Sequence, residues 1–217
     1  MKPLVIFDLD GVLLDSEPIY MEMNRKFFKE LGAKVTPEEE QTFVGISATK
    51  MWEYIKQKNG LRNSVEELKA MERDLKFKTL DEKKLVPTQG VEDLLNRLKS
   101  ENATLAIASS SIKNNIDLIL QKLNLVSFFD LVVSGEEVPK GKPEPDIFLK
   151  VSNHFSRQPQ DCVVIEDSTN GVLAAKAAGM VCLAYYNPHS GKQDLSKADL
   201  IFDCFDDPKL AQRLGLR

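Results

Sequence analysis

The chain has 217 residues, enough for one substantial domain or for one domain carrying a small insert, and its 42% apolar and 29% charged residues are ordinary for a soluble globular protein. A net charge of −4 gives no electrostatic footprint for nucleic acid, and no apolar run approaches the roughly 18 residues of a membrane span. A single Lys precedes the first apolar run, so no signal peptide is expected; the default reading is a cytoplasmic monomer. Cys162, Cys182 and Cys204 are widely spaced, and the first two sit in or beside apolar runs, which reads as core packing and not as a disulfide or a thiol nucleophile.

The first element is Leu4-Val5-Ile6-Phe7, an unbroken apolar run of the kind found in strands buried on both faces of a parallel sheet. It runs into Asp8-Leu9-Asp10-Gly11. Side chains two apart in an extended segment point the same way, so Asp8 and Asp10 are expected to face one site, with Gly11 turning the chain after them. At about 5 Å and an effective dielectric of about 20, two carboxylates repel by roughly 3 kcal/mol. A protein tolerates that by protonating one, by exposing both, or by placing a cation between them.

From about Ser16 to Lys84 only helical patterns occur. Ile19, Met23, Phe27, Phe28 and Leu31 recur at helical spacing before Gly32. Thr36-Pro37-Glu38-Glu39 is a helix start, Met51 to Ile55 suggests a helix closed by Asn59-Gly60, and Ser64 with Glu67 makes a capping box before a long charged helix. The segment reads as an all-helical insert. From Leu85 onward strands and helices alternate: a helix over 91–99, a strand over 104–108 ending in Ser109-Ser110-Ser111, a helix over 112–123, a strand over 128–133, a helix over 146–155, a strand over 162–165 ending in Glu166-Asp167, a helix over 171–178, and short strands over 181–184 and 200–202. The fold class expected is therefore α/β: a doubly wound parallel sheet, Rossmann-like, formed by residues 1–15 and 85–217, with residues 16–84 as a helical cap domain.

Three apolar strands end in polar clusters, which in a parallel sheet share one edge and hence one crevice. Asp8, Asp10, Glu166 and Asp167 form an oxygen-rich set suited to Mg²⁺, which takes one or two carboxylates together with waters and phosphate oxygens. Helix capping is the ordinary alternative for Glu166-Asp167 and for the serines. Ser109 and Ser110, between a strand and a helix, offer hydroxyl and N–H groups to an anion, and Lys142, in Gly141-Lys142-Pro143-Glu144-Pro145-Asp146, offers a compact charge. Together these are the parts of phosphoryl transfer: a nucleophilic carboxylate, a proton donor, a metal, and groups that hold phosphate.

Four motifs in this order match a known pattern. Asp8-Leu9-Asp10-Gly11-Val12 with Asp15-Ser16-Glu17-Pro18, then Ala108-Ser109-Ser110, then Gly141-Lys142-Pro143-Glu144-Pro145-Asp146, then Val164-Ile165-Glu166-Asp167-Ser168 with Asn170-Gly171, resemble the haloacid dehalogenase superfamily. The branch is that of the sugar-phosphate phosphatases and β-phosphoglucomutase with a helical cap after the first strand. The resemblance implies Asp8 as nucleophile, and Asp10 as acid to the leaving group and then base for water. It implies phosphate binding by Ser109 and Lys142, and Mg²⁺ bound by Asp8, the Asp10 carbonyl and Asp167, with Glu166 beside it. It also implies that the cap closes over a small phosphorylated metabolite and selects it.

Departures bear on the substrate. The mutase pattern has His where Tyr20 stands, Lys where Val44 precedes Gly45, and Arg where Ala48 stands. Their absence argues for a phosphatase of a sugar or polyol phosphate over a mutase, which needs a second anion site; Lys50 and Arg25 are the cations that would have to take their place. A dehalogenase needs neither Mg²⁺ nor an acid at Asp10. The alternative of a different class is a phospho-Asp receiver-like signalling domain, which lacks a cap of this length and a partner such as Asp10.

Overall fold

The computed structural model describes residues 3–43 and 46–216. Six strands form one all-parallel sheet: β1 (Leu4–Phe7), β2 (Thr104–Ser109), β3 (Leu131–Ser134), β4 (Cys162–Glu166), β5 (Val181–Tyr185) and β6 (Leu200–Phe202), in the spatial order β3-β2-β1-β4-β5-β6. The chain winds outward from β1 in one direction through β2 and β3, and in the other through β4, β5 and β6. The topological switch therefore lies between β1 and β4, where open α/β sheets bind ligands beyond the strand ends.

Alternation along the strands makes two cores. Val5, Phe7, Leu105, Ile107, Val163 and Ile165 face α5 (Val91–Ser100), α6 (Lys113–Lys122) and α9 (Pro208–Arg213). Leu4, Ile6, Ala106, Ala108 and Val164 face α7 (Asp146–His154) and α8 (Thr169–Ala177). All four residues of β1 are fully buried, as an apolar run with no polar alternation requires.

Between β1 and α5 the described residues form helices and no strand: α1 (Glu17–Glu30), α2 (Pro37–Phe43), α3 (Ala48–Asn59) and α4 (Val65–Glu82). Their own apolar cluster centres on Trp52, buried against Phe27 and Phe28 with ring centroids at 5.4 and 5.7 Å. The expected caps are present. Thr36 and Glu39 exchange hydrogen bonds at the start of α2, Ser64 and Glu67 do so at α4, and Gly60 closes α3 in the left-handed conformation.

Some boundaries differ from expectation. β3 begins at Leu131 and not Phe128, because Val126–Phe128 form a 3₁₀ turn whose phenylalanine packs onto the core. β2 and β4 each run one residue further, to Ser109 and Glu166. Cys162, Cys182 and Cys204 are free thiols, the first two buried. Among the described residues no helix is long and apolar enough to cross a membrane.

Candidate active site

The ends of β1, β2 and β4 deliver their polar residues to one place, and Lys142 joins them. Its ammonium lies 2.6 Å from Asp8 Oδ1 and 2.7 Å from Glu166 Oε1, and it donates to the carbonyl of Ala108 at 3.0 Å. All three charged side chains are buried, with exposures of 5%, 9% and 1% for Lys142, Asp8 and Glu166. Burial works against the charge on Lys142, but Asp8 and Glu166 together outweigh it and hold the ammonium above its ordinary range. Burial pushes the Asp8 carboxyl up to about 7, against the pull of Lys142 and with the repulsion of Glu166 and Asp10.

Glu166 is committed on both oxygens. Besides Lys142, it accepts from the N–H groups of Asp167 and Ser168, each at 2.8 Å, and from the Ser168 hydroxyl at 3.0 Å. The fit is close enough that a Cβ on Gly171 would stand 1.7 Å from Glu166 Oε1, which explains a glycine inside α8. Ser168 in turn caps α8 by accepting from the Gly171 N–H at 3.0 Å.

Asp10 points into the space between the sheet edge and the helices. One of its oxygens accepts from the Tyr20 hydroxyl at 2.8 Å, the other from the Ser111 hydroxyl at 2.6 Å. Asp167 accepts from the buried Ser190 hydroxyl, and burial, then Glu166 and Asp8, raise its carboxyl well above the usual carboxylate range. The turn brings Gly11 so near that a Cβ there would lie 1.9 Å from Asp167 Oδ2, at a φ of +80° that also favours glycine.

Of the serines, Ser110 and Ser111 line the cleft, while Ser109 is 1% exposed and uses its Oγ to accept the Ser111 N–H at 3.1 Å. The cleft encloses about 860 Å³, with Asp10, Ser110, Ser111 and Lys142 on the sheet side and Tyr20 and Lys76 on the helix side. The Lys76 ammonium sits 3.6 Å from the centre of the Tyr20 ring.

A divalent cation fits the donors present. They are all oxygens, and Asp8 and Asp167 are two acids raised first by burial, whose ionised forms a hard cation would favour. Among the described residues no three His, Cys, Asp or Glu side chains form a metal cage by themselves. Of the four acids expected from the sequence, Glu166 has both oxygens on Lys142 and backbone N–H groups, and Asp10 has both on the Tyr20 and Ser111 hydroxyls, while Asp8 meets Lys142 and Asp167 meets Ser190 through one oxygen each. Two carboxylates are as many as Mg²⁺ usually takes when phosphate and water complete its shell.

The mutase departures resolve unevenly. Tyr20 is engaged with Asp10, Arg25 is paired with Glu40 at 2.6 Å, and Ala48 opens α3, while Lys50 is exposed on that helix. Val44 and Gly45 lie outside the described residues. Sequence reasoning missed the loop after β5, where Asn187 and Ser190 are buried and reach the Gly11 turn and Asp167. The rule that polar clusters follow apolar strands, extended to β5, would have found them.

Residues 5–185 match the family model described as haloacid dehalogenase-like hydrolase. The chain is 34% identical over 176 residues to a phosphorylated carbohydrates phosphatase of Thermotoga maritima, covering 81% of each chain. It is 32% identical over 184 residues to a β-phosphoglucomutase of Bacillus subtilis, covering 81% of this chain and 80% of that one. The crystal structure of β-phosphoglucomutase from Clostridium difficile superposes with a TM-score of 0.78 at 26% identity, over 99% of this chain and 97% of the other.

Proposed function

This chain belongs to the haloacid dehalogenase-like hydrolases, and on that premise we propose that it is a Mg²⁺-dependent phosphatase of a small phosphorylated metabolite, a sugar or polyol phosphate. The observation that carries the reading is the buried bridge from Asp8 through Lys142 to Glu166 at the switch between β1 and β4, with Asp10 beside it. Asp8 is the nucleophile: its oxygen bonds to phosphorus, the ester P–O bond breaks, and the leaving oxygen takes the proton of Asp10. Asp10, now a carboxylate, removes a proton from water; that oxygen attacks phosphorus, the bond to Asp8 breaks, and inorganic phosphate leaves.

Lys142, with the hydroxyls and N–H groups at Ser109 and Ser110, holds the phosphoryl oxygens. Asp8, the Asp10 carbonyl and Asp167 hold Mg²⁺, which supplies positive charge against the phosphoryl oxygens. Residues 16–84 act as a cap over the catalytic core of 1–15 and 85–217, and their cleft-facing side chains select the alcohol. The name of the Thermotoga relative supports a carbohydrate phosphate. The Bacillus relative supports a mutase instead, but Tyr20 and Ala48 replace the groups a mutase uses and Arg25 is already paired. The receiver-like alternative draws no support from the hydrolase match.

The test is phosphate release from p-nitrophenyl phosphate and from a panel of sugar and polyol phosphates, with and without Mg²⁺. Asp8→Asn is expected to lose roughly a thousandfold or more in kcat. Wild-type turnover by that variant removes the nucleophile assignment; conversion of β-glucose 1-phosphate to the 6-phosphate with a bisphosphate primer moves the reading to a mutase.

A further inference from the structure

We propose that the loop following β5, Asn187 to Gln193, presents Asp167 to the divalent cation, with Ser190 as the positioning residue and Asn187 fixing the turn at Gly11; the proposal rests on the phosphatase reading, which makes Asp167 a ligand. A carboxylate bound to a cation through one oxygen swings unless its other oxygen is held. Here Oδ2 is held. It lies against Gly11 and accepts from the hydroxyl of Ser190, a residue only 4% exposed. Oδ1 is left for the ion.

The same loop fixes the other side of the site. Asn187, 5% exposed, donates through Nδ2 to the Gly11 carbonyl at 3.0 Å and to Asp15 Oδ1 at 3.2 Å. Its Oδ1 accepts the His189 N–H at 2.8 Å, and the His189 ring nitrogen Nδ1 is 2.6 Å from Asp15 Oδ2. Gln193 closes the loop onto α8: Nε2 donates to the Ser190 carbonyl at 2.7 Å, and Oε1 accepts the Thr169 N–H at 2.9 Å. One short segment therefore fastens the turn that carries Asp8 and Asp10 and the strand end that carries Asp167, and it does so with buried polar groups. Such groups are costly unless paired, and here one partner, Asp167, is a proposed ligand of the cation and another, Gly11, directly follows Asp10. A loop that merely anchored β5 would have no need to reach a carboxylate oxygen of Asp167.

Calorimetric Mg²⁺ binding to the protein, without substrate, decides the matter. The variants are Ser190→Ala, Ser190→Thr and Asn187→Ala, alongside the Mg²⁺ dependence of p-nitrophenyl phosphate hydrolysis. Ser190→Ala is expected to weaken Mg²⁺ binding about 10- to 100-fold, and Ser190→Thr, which keeps the hydroxyl, to restore it. Activity lost by Ser190→Ala at low Mg²⁺ should return as Mg²⁺ is raised. A Ser190→Ala protein with a lowered Tm but Mg²⁺ affinity within about twofold of wild type overturns the proposal and leaves a structural role. If Ser190→Ala does not fold, the same comparison on Asn187→Ala decides it. Wild-type protein that hydrolyses no phosphate ester and binds no Mg²⁺ overturns the phosphatase reading beneath it, an outcome distinct from failure of the loop alone.

Discussion

Asp10 meets one hydroxyl from each side of the cleft, Tyr20 from α1 and Ser111 from the loop after β2. Both donors point at the carboxylate, so its orientation depends on the helices being seated over the sheet edge. If Asp10 protonates the leaving oxygen, Tyr20→Phe should penalise alkyl phosphates, whose alkoxide cannot leave unprotonated, by about 10-fold in kcat/KM. p-Nitrophenyl phosphate, whose leaving group needs no proton, should change little. Equal losses on both esters would show that the phenol does not orient the acid. Lys142 makes the converse case. Replacing it by Met leaves Asp8 and Glu166 buried without their cation, a loss of about 3–5 kcal/mol. A lowered unfolding midpoint together with lost phosphatase activity is the expected result.

The turn after β1 and the start of α8 are built around glycines that touch carboxylates. Gly11→Ala adds a Cβ into Asp167 at a positive φ, and Gly171→Ala adds one into Glu166. Both are expected to lower kcat, and Gly11→Ala also to weaken Mg²⁺ binding; titration of activity against Mg²⁺ separates them. The α4 capping box is remote from this chemistry, so Ser64→Ala should cost about 1 kcal/mol of stability. A thermal melt checks it.

How far each element was legible follows from how local its cause is. β1, the capping boxes and Gly60 are read from neighbours in sequence. The strand expected from Phe128 begins only at Leu131, because Phe128 and Phe129, although apolar, pack onto the core from outside the ladder. The short α9 carries too little periodic pattern to announce itself, although Asp207 caps it.

The folded protein as a unit should answer to pH and to metal together. The Asp8 carboxyl ordinarily titrates at 3.8 and here is pushed up to about 7 by burial; that of Asp167 is raised also. A group that holds its proton more tightly when folded contributes stability in full below its unfolded value, and that contribution is lost as pH rises through the folded one. Glu22 and Glu39, held down to about 2 by hydrogen bonds from Lys26 and Lys58, are ionised in both states above pH 5 and do not compensate. The metal-free protein should therefore lose thermal stability as pH rises from about 5 to about 7. A cation that favours the ionised acids should restore it, so the Mg²⁺-induced rise in Tm grows over the same window. Melts of wild type and of Asp8→Asn, in which the trend should flatten, check both statements.

The amino-acid order alone carried the parallel α/β class, the helical insert and the motifs at the strand ends, because each is written in short-range periodicity and in residues a few positions apart. Which oxygen of each acid stays free was decided only in three dimensions. Lys142 reaches residues 134 and 24 positions away, Ser111 is 101 positions from Asp10, and Asn187 is 176 from Gly11. Contacts over such separations exist only once the sheet has brought its strand ends together, and burial then sets which carboxylates are paired and which are raised.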